Sequence, residues 1–407
     1  MDVSRAGRHH RLLTAAAAVG VGAALLATPA HAGHVGAAAA AHGLPGSVEP
    51  VDLQVPGQGA AARRISESGV VVGVSYADDG RMLAFRWQDG EAAVLGDVDA
   101  DSSAQDVNEP GQVLVQTYLA DGSTGALLWQ PDGSAVDLAP DVDEVAAGDL
   151  DDQGRVALEL TDPASGLPHA AVWQDGTLTL LDDQGGHSSI GSVRALNERG
   201  DVVGTVTDGD GSRAVVWRDG AVTRLPVPTG ATGSYGEAVN ERGDVLGVVV
   251  DDGRTRAVLW EEGRLRYLAP VDAPRQTFYD LNERGTAVGT LGDRQVGLGA
   301  ALADRSGVKI LPTLGGPSGT AYAVNGRGTV VGTTTTDAGA AYGHATAWVR
   351  GRALPLDGWV DDEEPVHSVA LDVDEQGRAV GYVQRRGPDG GLLHNMRALL
   401  WEVSAGS

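Results

Sequence analysis

Hydrophobic and polar residues alternate along this chain in short segments that recur about every 43 residues. In each segment an aliphatic residue precedes Asn, Asp or Ser, and a glycine follows three positions later, as in Leu196-Asn197-Glu198-Arg199-Gly200. Asn, Asp and Ser cap turns with their own side chains, and glycine supplies a positive φ. Each segment therefore predicts a hairpin. The turn glycines mark eight repeats, at Gly69, Gly111, Gly154, Gly200, Gly243, Gly285, Gly328 and Gly377.

A second hairpin follows in each repeat. Its first strand carries an alanine and, three residues later, a tryptophan, as in Ala214 and Trp217, although Ala303 replaces the tryptophan in the sixth repeat. The stretch from Ala214 to Trp217 is apolar on both faces, which is typical of a strand covered on both sides. Four short strands per repeat predict an all-β fold, a β-propeller of eight four-stranded blades of about 43 residues. The repeated tryptophans are predicted to be core residues.

The two ends of the repeat region predict a closed ring. The eighth repeat ends at Trp401-Glu402-Val403 and lacks its last strand, whereas Val51–Pro56, before the first repeat, resembles the last strand Val222–Pro228. We therefore expect the N-terminal strand to complete the last blade and leave no free edge. The alternatives are an open solenoid, which needs polar caps at its ends, or a pair of sandwiches.

Charge and composition narrow the classes of function. The chain has a net charge of -25 and no cysteine, which excludes disulfides and thiolate nucleophiles and disfavours nucleic acid and anionic lipid as partners. Arg5, Arg8 and Arg11 precede an apolar run, and Ala30-His31-Ala32 follows it, the pattern of a cleavable signal peptide.

The predicted organisation is thus a signal peptide over 1–32, a disordered Ala/Gly-rich spacer over 33–48 and the propeller over 49–407. The mature protein is expected to be a secreted, extracellular monomer with no membrane span.

The repeats resemble the HAF repeat of extracellular bacterial proteins. Ala238-Val239-Asn240-Glu241-Arg242-Gly243 matches the first part of that pattern, and His344-Ala345-Thr346-Ala347-Trp348 matches the second part except for its phenylalanine. The resemblance implies export and a propeller-like fold. It implies no reaction.

Four aspartates occupy one equivalent position, two residues before the turn Asn or Asp: Asp106, Asp149, Asp280 and Asp372. Carboxylate oxygens are the ligands that calcium takes, so these residues are a candidate calcium site; the alternative is that they are solvated turn residues. No other cofactor is predicted. The Glu-Arg pair inside the turns is interpreted as exposed filler.

The longest irregular loop suggests a contact surface. It contains Trp359, the one tryptophan outside the repeat pattern, together with Asp361, Asp362, Glu363 and His367. Binding residues favour loops displayed on a rigid scaffold, so these five residues are the candidate ligand-binding set. Tolerance of an insertion is the alternative explanation.

No catalytic residue is predicted, because neither a nucleophile elbow nor a His-Glu-x-x-His motif is present. We therefore expect a non-enzymatic secreted module that binds an extracellular protein, a cell-wall polymer or another glycan. The alternatives are a carbohydrate-active hydrolase or lyase using carboxylates near the central opening, and a structural surface protein.

Overall fold

The computed structural model describes residues 48–96, 100–192, 194–270, 273, 275–293, 297–338, 340, 342–356, 367–385 and 396–403. Their strands form eight four-stranded antiparallel sheets, and successive sheets are successive repeats arranged as blades in a ring. The predicted fold class, an eight-bladed β-propeller, is confirmed.

Each of the first four blades is built in chain order from its inner to its outer strand. Blade 1 contains Gly59–Ile65 (β2), Val71–Tyr76 (β3), Met82–Gln88 (β4) and Glu91–Leu95 (β5). Blade 2 contains Asp101–Val107 (β6), Val113–Tyr118 (β7), Thr124–Trp129 (β8) and Ala135–Asp137 (β9). Blade 3 contains Val145–Leu150 (β10), Val156–Thr161 (β11), Pro168–Gln174 (β12) and Thr177–Leu180 (β13). Blade 4 contains His187–Ile190 (β14), Val202–Asp208 (β15), Gly211–Arg218 (β16) and Ala221–Arg224 (β17).

The remaining blades repeat this order, except that the outer strand of the last comes from the N-terminal side. Blade 5 contains Gly233–Val239 (β18), Val245–Asp251 (β19), Arg254–Glu261 (β20) and Arg264–Tyr267 (β21). Blade 6 contains Gln276–Leu281 (β22), Ala287–Asp293 (β23), Gly297–Asp304 (β24) and Gly307–Ile310 (β25). Blade 7 contains Gly319–Val324 (β26), Val330–Thr334 (β27), His344–Val349 (β28) and Arg352–Pro355 (β29). Blade 8 contains His367–Val373 (β30), Arg378–Gln384 (β31), Met396–Glu402 (β32) and Pro50–Asp52 (β1).

Strand β1 closes the ring as the sequence predicts. It pairs antiparallel with β32, with Val51 opposite Leu400. The chain continues with Leu53, which is 1% exposed and donates its N–H to the carbonyl of Ala398 at 3.1 Å. Leu53 packs in one apolar cluster with residues of blades 8 and 1, so this segment contacts both blades that meet at the closure.

The apolar core lies between neighbouring blades. Trp217 of blade 4, for example, packs in one cluster with Ala157 and Ala170 of blade 3. Its indole N–H donates to the carbonyl of Asp182, in the connection between the two blades, at 2.7 Å. Trp260 and Trp348 make the equivalent bond to Pro226 and Pro312. The repeated tryptophan therefore joins blade packing to the connection that leads into its blade.

In blades 4 and 5 a glycine of the second strand, Gly204 or Gly247, makes room for that tryptophan. In blade 4 a Cβ added to Gly204 would lie 2.0 Å from the carbonyl oxygen of Ser189 and 2.9 Å from the ring of Trp217. Real Cβ atoms do not approach backbone so closely, and only glycine fits between the inner strand and the ring. The packing of the strands against the tryptophan ring therefore requires a glycine at this position.

The inner strands of seven blades carry a β-bulge next to the central opening; blade 4 lacks it because β14 ends early, at Ile190. A bulge adds one residue and re-aims its side chain. We call the added residues the bulge residues: Arg63, Gln105, Gly148, Glu237, Tyr279, Tyr322 and Leu371. The face that carries the hairpins after the inner strands is the turn face, and the opposite face is the connection face.

Candidate functional site

The four aspartates of the predicted metal site meet at the central opening. Asp106, Asp149 and Asp372 line one cavity on the turn face together with Arg194. Asp280 joins them through an ion pair, because its Oδ1 lies 3.0 Å from Nε of Arg194. The equivalent positions of the other blades hold Arg64, Ala195, Ala238 and Ala323.

Each of these carboxylates accepts hydrogen bonds from the inner-strand backbone. In each blade the aliphatic residue before the turn points its backbone N–H toward the part of the opening where these aspartates lie. We call these N–H groups the shoulder amides. Asp280 binds the shoulder amide of its own blade, Leu281, at 2.9 Å and that of the next blade, Val324, at 2.8 Å. Asp106 and Asp372 do the same for their own and following blades. Asp149 binds the amide of Leu196 at 2.8 Å.

These hydrogen bonds link each of the four aspartates to the next blade of the ring. The one shoulder amide that no aspartate binds, that of Val239, donates to the carbonyl of Arg194 at 2.9 Å. Buried amides that lose their acceptor cost free energy, so the aspartates have a structural role at this position. In the part of the chain that the structure describes, no group of three or more His, Asp or Glu side chains is arranged to hold a metal. Calcium at the four aspartates stays a prediction.

Arg194 supplies the positive charge of the cavity. It lies in the irregular segment between β14 and β15 and has a φ of 39°, a conformation that costs energy for a residue with a side chain. Its guanidinium contacts Asp280 and lies 3.8 Å from Oδ1 of Asp372. The attraction of Asp280 raises the pKa of Arg194 further above its ordinary value. The irregular segment between β14 and β15 thus places a permanent positive charge among the four aspartates.

Within the described residues, Asp149 has no such cation at hydrogen-bond distance. Burial, followed by the negative charge of Asp106 and a hydrogen bond to it, raises the pKa of the Asp149 carboxyl well above its usual range. Burial and Asp106 thus favour the protonated form of the Asp149 carboxyl, in which it can donate a hydrogen bond to Asp106.

Replacing Asp149 with Asn is expected to change the free energy of unfolding by less than about 0.5 kcal/mol, because the amide keeps both an acceptor for Leu196 and a donor for Asp106. Asp149→Ala leaves the Leu196 amide without a partner and should cost about 1–3 kcal/mol. Urea unfolding of both variants at neutral pH checks this. Equal losses for Asn and Ala would contradict a hydrogen bond donated by the Asp149 side chain to Asp106.

A ring of carboxylates surrounds the cavity at its outer margin. The residue after the turn Asn, Asp or Ser accepts a hydrogen bond from the equivalent backbone N–H of the preceding blade; the amide of Glu198 donates to Glu241 at 2.9 Å and that of Glu109 to Asp152 at 2.7 Å. We call these seven acidic residues the rim: Glu67, Glu109, Asp152, Glu198, Glu241, Glu283 and Glu375. Gly326 interrupts the rim in blade 7.

The turn residue itself makes a further link between blades. The side-chain amide of Asn197 donates to the carbonyl of Asn240 at 3.0 Å, and four other blades repeat this bond. Asp151 has no donor to offer, and Arg155, which pairs with it, reaches the carbonyl of Glu198 at 2.7 Å instead. Arg378 does the same for Asp374. The Glu-Arg filler interpretation is therefore incomplete, since the rim glutamates of these pairs accept hydrogen bonds from neighbouring blades.

Burial raises the pKa of Glu198 to about 7 and raises those of Glu67 and Glu283 in the same direction. A carboxyl with a raised pKa in the folded state favours folding in its protonated form. Its contribution is complete below the ordinary value near 4.5 and is lost as the pH rises through about 7.

Glu198→Gln is therefore expected to reduce the fall in unfolding free energy between about pH 5 and pH 8, because glutamine stays neutral and still accepts the Asp152 amide. Urea unfolding at both pH values measures the difference, with Glu262→Gln on an exposed turn as the control. A Glu198→Gln protein with the full pH dependence of the parent would argue against this site.

The predicted ligand-binding loop falls largely beyond the described residues: Trp359, Asp361, Asp362 and Glu363 lie outside them. His367 begins β30. Its Nδ1 lies 3.0 Å from the carbonyl oxygen of Gly343, and its ring contacts Tyr342 and Tyr382. Burial lowers the pKa of His367 and favours the neutral imidazole. The residue is a packed group on the connection face.

The comparisons with known proteins concern the fold. No family model and no curated protein matches the chain. The β-propeller domain of the Trilobed protease from Pyrococcus furiosus is similar, with a TM-score of 0.50 and 11% identity over 76% of this chain and 98% of the other. A prolyl endopeptidase gives 0.54 and 14% over 82% and 53%, and a puromycin hydrolase gives 0.51 and 16% over 84% and 62%. The chain thus spans little more than half the length of these last two proteins.

These similarities correct the function predicted from the sequence. The similar propellers are parts of peptidases and of a puromycin hydrolase, so a stand-alone, non-enzymatic binding module of unknown ligand was the wrong expectation. Sequence patterns could not give this similarity, because a fold does not specify a function. The described part of the chain contains no helix long and apolar enough to span a membrane.

Proposed function

We propose that this chain is a peptidase-associated propeller that works beside a peptidase and handles peptides at its central opening. The observation that carries the proposal is the similarity of the ring, at TM-scores of 0.50 to 0.54, to propellers found in hydrolases of this kind. Its central opening, lined by charged groups, offers a place where peptides are selected.

The negative charge of the turn face indicates which peptides the central opening favours. Six of the seven rim carboxylates line a cavity that also contains Asp106, Asp149 and Asp372. Arg194 is paired with Asp280 and Asp372. A concentration of one sign of charge around a concave site attracts ligands of the opposite sign. Peptides rich in Lys or Arg are therefore the favoured class, and their binding weakens as salt screens the rim.

Export and family membership belong to the same proposal. The Arg5, Arg8 and Arg11 region, the apolar run and Ala30-His31-Ala32 support secretion. The recurring Asn-x-x-Gly turn and the Ala-x-x-Trp strand support a relationship to HAF-repeat proteins. A secreted ring of this kind acts on peptides outside the cytoplasm.

The association with a peptidase is tested by capture with an activity readout. Residues 33–407 are immobilised and exposed to the culture medium of the source organism, and the eluate is assayed with fluorogenic peptides. The proposal expects hydrolysis well above that from a column carrying serum albumin. An eluate without hydrolysis, from a column that also fails to retain the fluorogenic peptides, would contradict it.

A further inference from the structure

The central opening contains a second arginine whose environment is unlike that of Arg194. Arg63 is the bulge residue of blade 1, so its side chain departs from the regular alternation of β2. Its side chain is partly buried. It donates a hydrogen bond to Ser103 of blade 2, and its charge interacts with Tyr382 of blade 8, Tyr76 of blade 1 and Tyr118 of blade 2. Because β2 is the inner strand of blade 1, Arg63 lies beside the central opening.

Arg63 has no acidic partner in the described part of the chain. Its Nη1 donates to Oγ of Ser103 at 2.7 Å, and its other charge interactions are with tyrosines and Arg64. A guanidinium has five N–H donors, so Arg63 keeps donors that a ligand carboxylate can use. Burial lowers the pKa of Arg63. In a protein with 55 acidic and 30 basic residues, the absence of a carboxylate here leaves room for one from a ligand.

The nearby tyrosines offer further donors and flat apolar surfaces. Within the described residues no protein group hydrogen-bonds to the hydroxyls of Tyr76, Tyr118 or Tyr382, and the charge of Arg63 acts on all three. The aromatic surface continues through Tyr322, which interacts with Tyr382, to Tyr279, whose ring centroid lies 5.6 Å from that of Tyr322. This arc spans blades 6, 7, 8, 1 and 2, with Arg63 near one end.

We propose that Arg63 and the hydroxyls of Tyr76, Tyr118 and Tyr382 form a carboxylate-binding site in the central opening, for a ligand whose carboxylate adjoins a flat apolar group. The guanidinium binds the carboxylate through charge-assisted hydrogen bonds, and the tyrosine rings cover the adjoining group. The C-terminus of a peptide and an acidic sugar both have this chemistry. A peptide C-terminus would extend the proposed function to the substrate, whereas the site itself does not depend on that function.

Titration calorimetry of residues 33–407 tests the site with two matched pairs of probes. One pair is N-acetylglycylphenylalanine and its C-terminal amide, and the other is digalacturonate and its methyl ester. We expect one acid of the two pairs to bind with one molecule per ring and its uncharged partner to bind at least about 10-fold more weakly. Binding of the sugar acid alone would keep the site and remove the peptide role.

Two variants connect binding to these residues. Arg63→Gln should weaken binding of the acid by about 10-fold or more, whereas Arg254→Gln, which removes the same charge from an exposed position of blade 5, should leave it unchanged. Tyr118→Phe, which removes one hydroxyl, serves if Arg63→Gln fails to fold and should weaken binding severalfold. Equal binding of acid and uncharged partner, undiminished binding to Arg63→Gln, or no binding of either acid at millimolar concentration would overturn the proposal.

Discussion

Deletion of residues 46–56 is expected to destabilise the whole ring by about 3–5 kcal/mol. The deletion removes β1, exposes the edge of β32 and takes the buried side chain of Leu53 out of the cluster between blades 8 and 1. It also breaks the ion pair between Asp52 and Arg397, which join at 3.0 Å. Because the apolar faces of each blade pack against its two neighbours, loss of the closing strand weakens the contact that makes the array a circle.

A thermal melt followed by circular dichroism measures this loss, which should appear as a fall of roughly 4–7 °C in the melting temperature. Deletion of residues 34–44, upstream of β1, is the matched control and should leave the melt unchanged. A synthetic peptide of residues 47–57 added to the first variant should recover part of the stability by pairing with β32. A 46–56 deletion that melts like the parent would contradict closure by this strand.

The second large effect is expected for Trp217→Ala, which should reduce the free energy of unfolding by about 3–5 kcal/mol. Trp217 is 2% exposed, and its removal opens a cavity between blades 3 and 4. The carbonyl of Asp182 also loses the indole donor at 2.7 Å, which adds about 1 kcal/mol.

The free energy of unfolding in urea measures this effect. Trp217→Phe should lose less than Trp217→Ala, because the ring still fills part of the space over Gly204. The sixth repeat carries Ala303 at the equivalent position, so the cost depends on how neighbouring residues fill the space. An unchanged unfolding midpoint for Trp217→Ala would show that the tryptophan does not support the core.

The blades were predictable because their signals are local. A capped turn such as Asn197 to Gly200 and a strand such as Ala214 to Trp217 each report their structure within a few residues. The closure was predictable because one strand is missing at one end of the repeats and present at the other. Sequence alone could therefore give the number of blades and how the circle is completed.

The site was less predictable because its residues become neighbours only when the circle closes. Asp280 and Asp372 belong to different repeats, and nothing in the sequence shows that Arg194 reaches both. The rim had a signal, an acidic residue that follows the turn residue in seven repeats, but its inter-blade bonds depend on the spacing between blades. Arg63 had no signal in the sequence, because what distinguishes it is that no described carboxylate pairs with it in the folded ring.

The most direct test of the account is whether the ring binds peptides according to their charge. Fluorescence anisotropy with two labelled peptides of equal length, one rich in Lys and one rich in Glu, gives the answer at low and high salt. We expect the Lys-rich peptide to bind at least about 10-fold more tightly. We also expect salt to weaken this binding and the double variant Glu198→Gln, Glu241→Gln to reduce it. Equal affinity for both peptides, or binding of neither, would contradict a peptide-handling role for the acidic opening.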